Sequence, residues 1–367
     1  MPSNVTNPTK ASDKRFRPLA VIGWLLLAVF LLIGGFLSFL TIVEYRPAPV
    51  EPAAIGGSTE GIPYRGEDLQ ILTFNTGYAS LGRDADFILD GGTGTGHAPR
   101  ATVEENLAGM QEILQKTQAD FYFLQEVDLG SDRTFNIDHI SAYEDVLPAY
   151  NWSYAPNYLC KFVPYPVQDP IRSIDSGIVT YSRFATASAD RVSLSNPFSW
   201  PVRTANLKRC LLVNRYPIEN SDAELVTVNF HMDAYDSGDG KEAQTLELWQ
   251  LLSEEYEKGN YVIAGGDFNQ TFPDMEVDVI PSANWVPGHL TDPPENCSDW
   301  SYVHDGSVPT CRLLNQPYIP DDPLTQYYVI DGFIVSPNVE VKSIETLDEN
   351  FRYADHNPLL LDVHLKF

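Results

Sequence analysis

The first sustained pattern along the chain is an absence of polarity. Leu19 to Val43 carry no charge over 25 consecutive residues, a run that at ~1.5 Å per residue outspans a hydrocarbon layer of about 30 Å. It has no polar face, which argues against a buried helix of a soluble domain. It also exceeds the apolar region of a cleavable leader, about 7–15 residues. The pattern therefore predicts an uncleaved transmembrane signal anchor over residues 19–43. Lys10, Lys14, Arg15 and Arg17 precede the run against Asp13 alone, so residues 1–18 are expected to stay in the cytoplasm as a basic tail, with the remainder outside.

Beyond the anchor, residues 44–66 lack any apolar period and are rich in proline and glycine (Pro47, Pro49, Pro52, Gly56, Gly57, Gly61, Pro63). They read as a flexible, extended linker. From residue 67 short apolar runs recur between turn-rich segments: Leu69–Phe74, Phe121–Val127, Gly177–Tyr181, Leu211–Val213, Leu225–Phe230, Tyr261–Ala264, Tyr327–Val335 and Leu359–Leu365. These predict strands, several buried on both faces. Two helical periods stand between them. Residues 102–116 align Val103, Leu107, Met110 and Leu114, with Thr102 and Glu105 spaced as a capping box. Residues 242–257 align Leu246, Trp249, Leu252 and Tyr256 and stop at Gly259-Asn260. No repeat or heptad run appears, so residues 67–367 are expected to form one α/β or α+β domain.

Composition changes this picture in two respects. An apolar content of 43% excludes a disordered or fibrous chain. The charge is lopsided, with 24 Lys and Arg against 50 Asp and Glu. Removing residues 1–43 leaves 20 basic and 49 acidic residues, so extended nucleic-acid binding by counterion release is disfavoured. The four cysteines would lie in an oxidising compartment. A Cys297–Cys311 disulfide could close the turn-rich loop between them, whereas Cys210, inside an apolar run, reads as a buried thiol. Their spacings are not those of a zinc site. The stretch Gly91–Gly96 lacks the Lys-Ser/Thr of a phosphate-binding loop, so it reads as a mobile loop near a cleft and implies no nucleotide.

The candidate chemistry lies where polar residues end apolar strands. Asn75 closes the first run and Glu126 nearly closes the second. His231 and Asp233 follow Val226–Phe230, Asp267 and Asn269 follow Val262–Gly266, and Asp331 interrupts Tyr327–Val335. Asp355-His356-Asn357 precedes the last strand. Each alone has a plain structural explanation as a turn or a satisfied polar group. Together they put many acids at the rim of an apolar interior, where a carboxylate without a partner is costly. A shared metal pocket satisfies all of them.

These motifs, Leu-Thr-Phe-Asn75-Thr, Leu-Gln-Glu126-Val-Asp, Val-Asn-Phe-His231-Met, Gly-Gly-Asp267-Phe-Asn269, Val-Ile-Asp331-Gly and Ala-Asp355-His356-Asn-Pro, in this order, resemble the endonuclease/exonuclease/phosphatase superfamily over residues 68–367. Within it the chain looks like a bacterial, membrane-anchored branch. The resemblance implies a four-layer α-β-β-α sandwich of two packed mixed sheets, with one or two Mg²⁺ ions (or Mn²⁺ or Ca²⁺) at the sheet ends. Glu126, Asn75 and Asp355 would serve the metal. Asp267 would orient or deprotonate the attacking water, and Asn269 would donate to the phosphoryl oxygens. His356 would be polarised by Asp331, and His231 would be the second imidazole. Lys161, Arg209 and Asp233 are assigned to substrate binding, within a basic rim that also holds Arg172, Arg203 and Lys208.

The activity implied is hydrolysis of a phosphodiester or phosphomonoester by metal-assisted water attack. A phospholipid head group or small phosphoester is favoured, because a body tethered outside a membrane meets these first. An extracellular DNA or RNA nuclease is the alternative, and a non-catalytic surface binding protein is the alternative of another class. Beyond the lipid bilayer and the phosphoester, no protein partner is inferable from the sequence.

Overall fold

The computed structural model describes residues 18–234 and 239–367, and divides into two units at Val43/Glu44. The first contains one helix, α1 (Pro18–Ile42), long and apolar enough to cross a membrane. The basic tail predicted for residues 1–18 lies outside the described residues except for Pro18.

The second unit is built on two seven-stranded mixed sheets. In chain order their strands are β1 (Val50–Pro52), β2 (Ala54–Gly56), β3 (Asp68–Asn75), β4 (Phe121–Asp128), β5 (Asn151–Val163), β6 (Arg172–Ser182) and β7 (Ser188–Ser193). There follow β8 (Cys210–Pro217), β9 (Glu224–His231), β10 (Tyr261–Asp267), β11 (Ser301–Val303), β12 (Asp331–Val335), β13 (Val339–Thr346) and β14 (Leu359–Leu365). One sheet runs β13-β14-β3-β4-β6-β5-β2 and the other β1-β7-β8-β9-β10-β12-β11. Only β3 with β4 and β9 with β10 are parallel among these neighbours. Among the described residues the remaining α-helices are α2 (Arg100–Thr117), α3 (His139–Glu144) and α4 (Asp239–Glu257).

The continuous apolar runs follow from the layering. In β3, Ile71 enters the core between the sheets while its neighbour Leu72 packs with Val103, Leu107 and Met110 of α2. In β10, Ile263 faces the inter-sheet core and Val262 packs with Leu248, Trp249 and Leu252 of α4. A strand covered on both faces needs no polar alternation. The order of layers is helix, sheet, sheet, helix, as the resemblance implied.

Several details depart from the sequence expectation. Residues 44–66 are not a free linker: β1 pairs antiparallel with β7 and β2 with β5, adding an edge strand to each sheet. Their backbone groups are satisfied by strands whose positions the local composition does not reveal. The Cys297–Cys311 disulfide is not formed. All four cysteines are free and buried, and these two belong to separate apolar clusters. Helix α2 starts after Pro99 without a side-chain cap, so Thr102 and Glu105 form no capping box. Leu246 of α4 is exposed, and Leu248 takes its place in the buried stripe. The run Tyr327–Val335 breaks before Asp331 because the Ile330 and Asp331 amides donate to Thr310 Oγ1.

Candidate active site

Strand register assembles the centre of the site. Asp267, the last residue of β10, pairs with His231 on parallel β9 and with Asp331 on antiparallel β12. Three adjacent strand ends therefore present an imidazole and two carboxylates side by side. His231 Nε2 is 3.3 Å from Asp267 Oδ2. His356, just before β14, places Nδ1 2.8 Å from Asp331 Oδ2 and Nε2 3.7 Å from Asp267 Oδ2. Asn75, ending β3 in the other sheet, donates from Nδ2 to Asp267 Oδ2 at 3.0 Å and accepts the Gly77 amide on Oδ1. Its amide thus orients Asp267. The site straddles the ends of both sheets.

Glu126 reaches this cleft through a break in its strand. The β4–β6 register slips between Leu124 and Val127, and Glu126 has φ +56°, the signature of a bulge that re-aims a side chain. Beside the slip, Asn229 of the opposite sheet donates to the Leu124 and Val179 carbonyls at 3.3 and 2.9 Å. Gln125 completes the link, donating to Asn229 Oδ1 at 2.8 Å. This inter-sheet amide pair was not singled out in the sequence; its signal is a polar residue flanked by Val228 and Phe230 in a fully buried strand. Glu126 Oε1 lies 3.9 Å from His231 Nδ1.

Burial and charge drive the groups apart in proton affinity. Burial, then the neighbouring Asp331, raises the Asp267 carboxyl to about 7. Burial, with a contribution from Glu126, raises Asp355 to about 7. His231 is held well below the ordinary histidine range by burial, with Arg209 and His356 adding to it. Burial acts the same way on His356 but is overcome by Asp331, Cys311 and Asp267, so this imidazole is shifted well upward. One histidine is neutral and the other cationic, a division of the kind acid–base chemistry uses.

The remaining predicted residues fall around this centre. Asn269 donates its backbone amide to Asp267 Oδ1 at 2.8 Å and its side chain to the Met232 carbonyl at 3.0 Å. Asp233 is buried, 3.4 Å from Arg209 Nε, and accepts from Gln244 Nε2 at 2.7 Å. Lys161 is exposed toward the end of β5 and has no hydrogen bond or ion pair to the cluster among the described residues. Lys241 and Gln244 of α4 were missed. Lys241 is buried, with Nζ 3.4 Å from the Asn269 carbonyl and 5.4 Å from the Trp285 ring centroid. Their positions near the start of α4, in the polar run Asp239-Gly-Lys-Glu-Ala-Gln244, carry no distinctive pattern.

The donor set fits a hard divalent cation. Asp355 Oδ1 and Asp331 Oδ1 are buried without a hydrogen-bond partner, and an unsatisfied buried carboxylate oxygen calls for a cation or proton. Asp267, Asp331 and His356 also bring ligand atoms within 4.8 Å of one another, a spacing that could hold an ion only with His356 deprotonated.

The sequence profile of the Endonuclease/Exonuclease/phosphatase family matches residues 72–356. The chain belongs to this family. Its members are metal-dependent phosphoester hydrolases, and the chain is accordingly an enzyme acting on phosphoric esters. No curated protein sequence matches it. Among solved structures, the family protein of Beutenbergia cavernae superposes with a TM-score of 0.56 at 16% identity, covering 82% of this chain and 72% of its own. That of Bacteroides vulgatus gives 0.53 at 15%, covering 82% and 100%. The mannosyl-6-phosphatase of Bacteroides thetaiotaomicron gives 0.50 at 15%, covering 80% and 99%.

Proposed function

We propose that the protein is a membrane-anchored, extracytoplasmic Mg²⁺-dependent phosphoesterase that hydrolyses a phospholipid head group or a small phosphoester. The observation that carries the reading is the in-register alignment of His231, Asp267 and Asp331, closed by His356. Asp267, poised near neutrality, takes the proton of the attacking water. Cationic His356, fixed through Nδ1 by Asp331, faces the charge that develops on the phosphoryl oxygens. Neutral His231, with Nε2 toward Asp267 and Nδ1 without a hydrogen-bond partner, would donate a ring N–H hydrogen bond to an oxygen of the phosphoester. Glu126 and Asp355 would hold the metal, an all-oxygen set suited to Mg²⁺ and shared in kind by Mn²⁺ and Ca²⁺. When bound, the ion supplies Lewis-acid stabilisation and lowers the acidity threshold of water. Arg209 and Lys241 border the site with positive charge, consistent with an anionic substrate. Fold alone does not choose among phosphoesters, and the acidic balance of the body favours lipid or small substrates over a nucleic acid.

The test is an assay of the full chain in detergent with Mg²⁺ on sphingomyelin, phosphatidylinositol phosphates, bis-nitrophenyl phosphate and plasmid DNA, with Asp267→Ala and chelator as blanks. Release from a lipid or small ester, lost in both blanks, supports the reading. Activity on DNA alone overturns the substrate class, and no activity on any of them with bound metal overturns the enzyme reading.

A further inference from the structure

In an acidic body, basic residues concentrate in two neighbouring segments. Residues 157–172 and 194–209 contain Lys161, Arg172, Arg203, Lys208 and Arg209 but one acid, Asp169. They form the β5–β6 hairpin tip and the connection from β7 to β8. The two tips touch. Tyr158 donates its hydroxyl to the Ala205 carbonyl at 3.1 Å, the Lys208 amide donates to the Asn157 carbonyl at 2.6 Å, and Ala205 packs on Cys160, Val163 and Ile174. Asp169 is engaged by His97 and Thr95.

The same tips hold large apolar side chains in solvent: Tyr165 is 44% exposed, Val167 77%, Trp200 53% and Val202 57%. Scattered exposed apolar residues are ordinary. Two aromatic and two aliphatic residues on adjoining tips, beside exposed Arg203, Arg172 and Lys161, are a different composition. Tyr and Trp lie at the head-group level of bilayers, short aliphatics dip below it, and Lys and Arg meet anionic lipid phosphates.

Connectivity indicates the occupant. Glu44, the first residue of the body, is held here by Arg203 and Lys208 at 3.4 and 3.3 Å. It follows Ile42, the end of the apolar helix, by two residues, a reach of about 7 Å at most. The face also adjoins the candidate site, since Arg209 closes the second segment and pairs with Asp233, two residues past His231.

We propose that this face, carried by Tyr165, Val167, Trp200 and Val202 within a basic rim, docks on the surface of an anionic lipid bilayer and presents the site to lipid head groups. The inference rests on the membrane-anchored reading but is tested independently of turnover. The four native cysteines are buried, so Val167→Cys in the full chain can be labelled selectively with an environment-sensitive fluorophore. Val341→Cys, on β13 at the opposite edge of the same sheet, is the control. In proteoliposomes containing phosphatidylserine, brominated lipid should quench the label at 167 and spare the one at 341, with aqueous iodide doing the reverse. Equal access of iodide to both positions overturns the proposal. A chain that hydrolyses no phosphoester yet protects position 167 sinks the enzymatic reading alone. Replacing Val167, Trp200 and Val202 together by serine should leave bis-nitrophenyl phosphate hydrolysis unchanged and lower turnover of lipid-embedded ester at least about tenfold, given the apolar area withdrawn from the interface. An equal fall on both substrates would also overturn it.

Discussion

Asp267 Oδ2 is shared by Asn75, His231 and His356, while Oδ1 is fixed by the Asn269 amide. A carboxylate held so completely cannot rotate away from its task, and an amide in its place would keep the shape while losing the basicity. Asp267→Asn should therefore lower kcat by about 10²–10⁴-fold, the range of general acid–base catalysis. Steady-state kinetics beside far-UV circular dichroism checks this, and the melting curve should be retained. His356→Asn should act with similar severity, because it also strands Asp331 as an unpaired buried carboxylate. At this scale the sequence was most informative. Glu126, His231, Asp267, Asp331 and His356 stand out because each is a polar group at the end of an apolar run, where burial demands a reason. Arg209 gains its meaning only when Asp233 is found beside it, and Lys241 and Gln244 come from a helix turn without any such contrast.

Among elements, the parallel pairing of β9 with β10 sets the spacing of His231 and Asp267. It depends on Gly266, one residue before Asp267, where a Cβ would collide with the Phe230 carbonyl oxygen of the neighbouring strand. Gly266→Ala must spread the two strands where the site is assembled. We expect a loss of stability of about 1–3 kcal/mol, typical of overpacking, and a fall in kcat larger than the change in folded fraction explains; denaturant melts and kinetics on the same preparation separate the two. Strands buried on both faces were legible as apolar runs. The strands β5, β7 and β13 were not, because they carry Asn, Ser, Lys and Glu on exposed faces or near edges and give no continuous run. The same blindness hid β1 and β2, whose partners lie roughly a hundred residues or more away in sequence.

For the whole molecule, stability follows the sum of its titrations. Asp355 is ionised in the unfolded chain above the ordinary carboxylate range but remains protonated in the fold up to about 7. Folding takes up a proton in that window, so this group's contribution declines as pH rises from about 4 to about 7. His139 opposes it: burial lowers the imidazole to about 4, and its contribution is lost as pH falls from about 6.5 toward 4. Since the two offset each other, the telling quantity is a difference. In chelator, Asp355→Asn should gain in melting temperature over the wild type as pH is raised toward 8. Added Mg²⁺ should stabilise the wild type there and not the variant. Differential scanning fluorimetry across pH, with and without Mg²⁺, reads both.

The two short N-terminal strands have a consequence for any attempt to produce the body without the apolar helix. Because β1 lies along β7 and β2 along β5, a truncation at residue 67 would strip one border from each sheet. Two rows of unsatisfied amides and carbonyls would face water at once, and such borders recruit other chains. A fragment cut there should self-associate, whereas one beginning at Glu44 keeps its own selvedge.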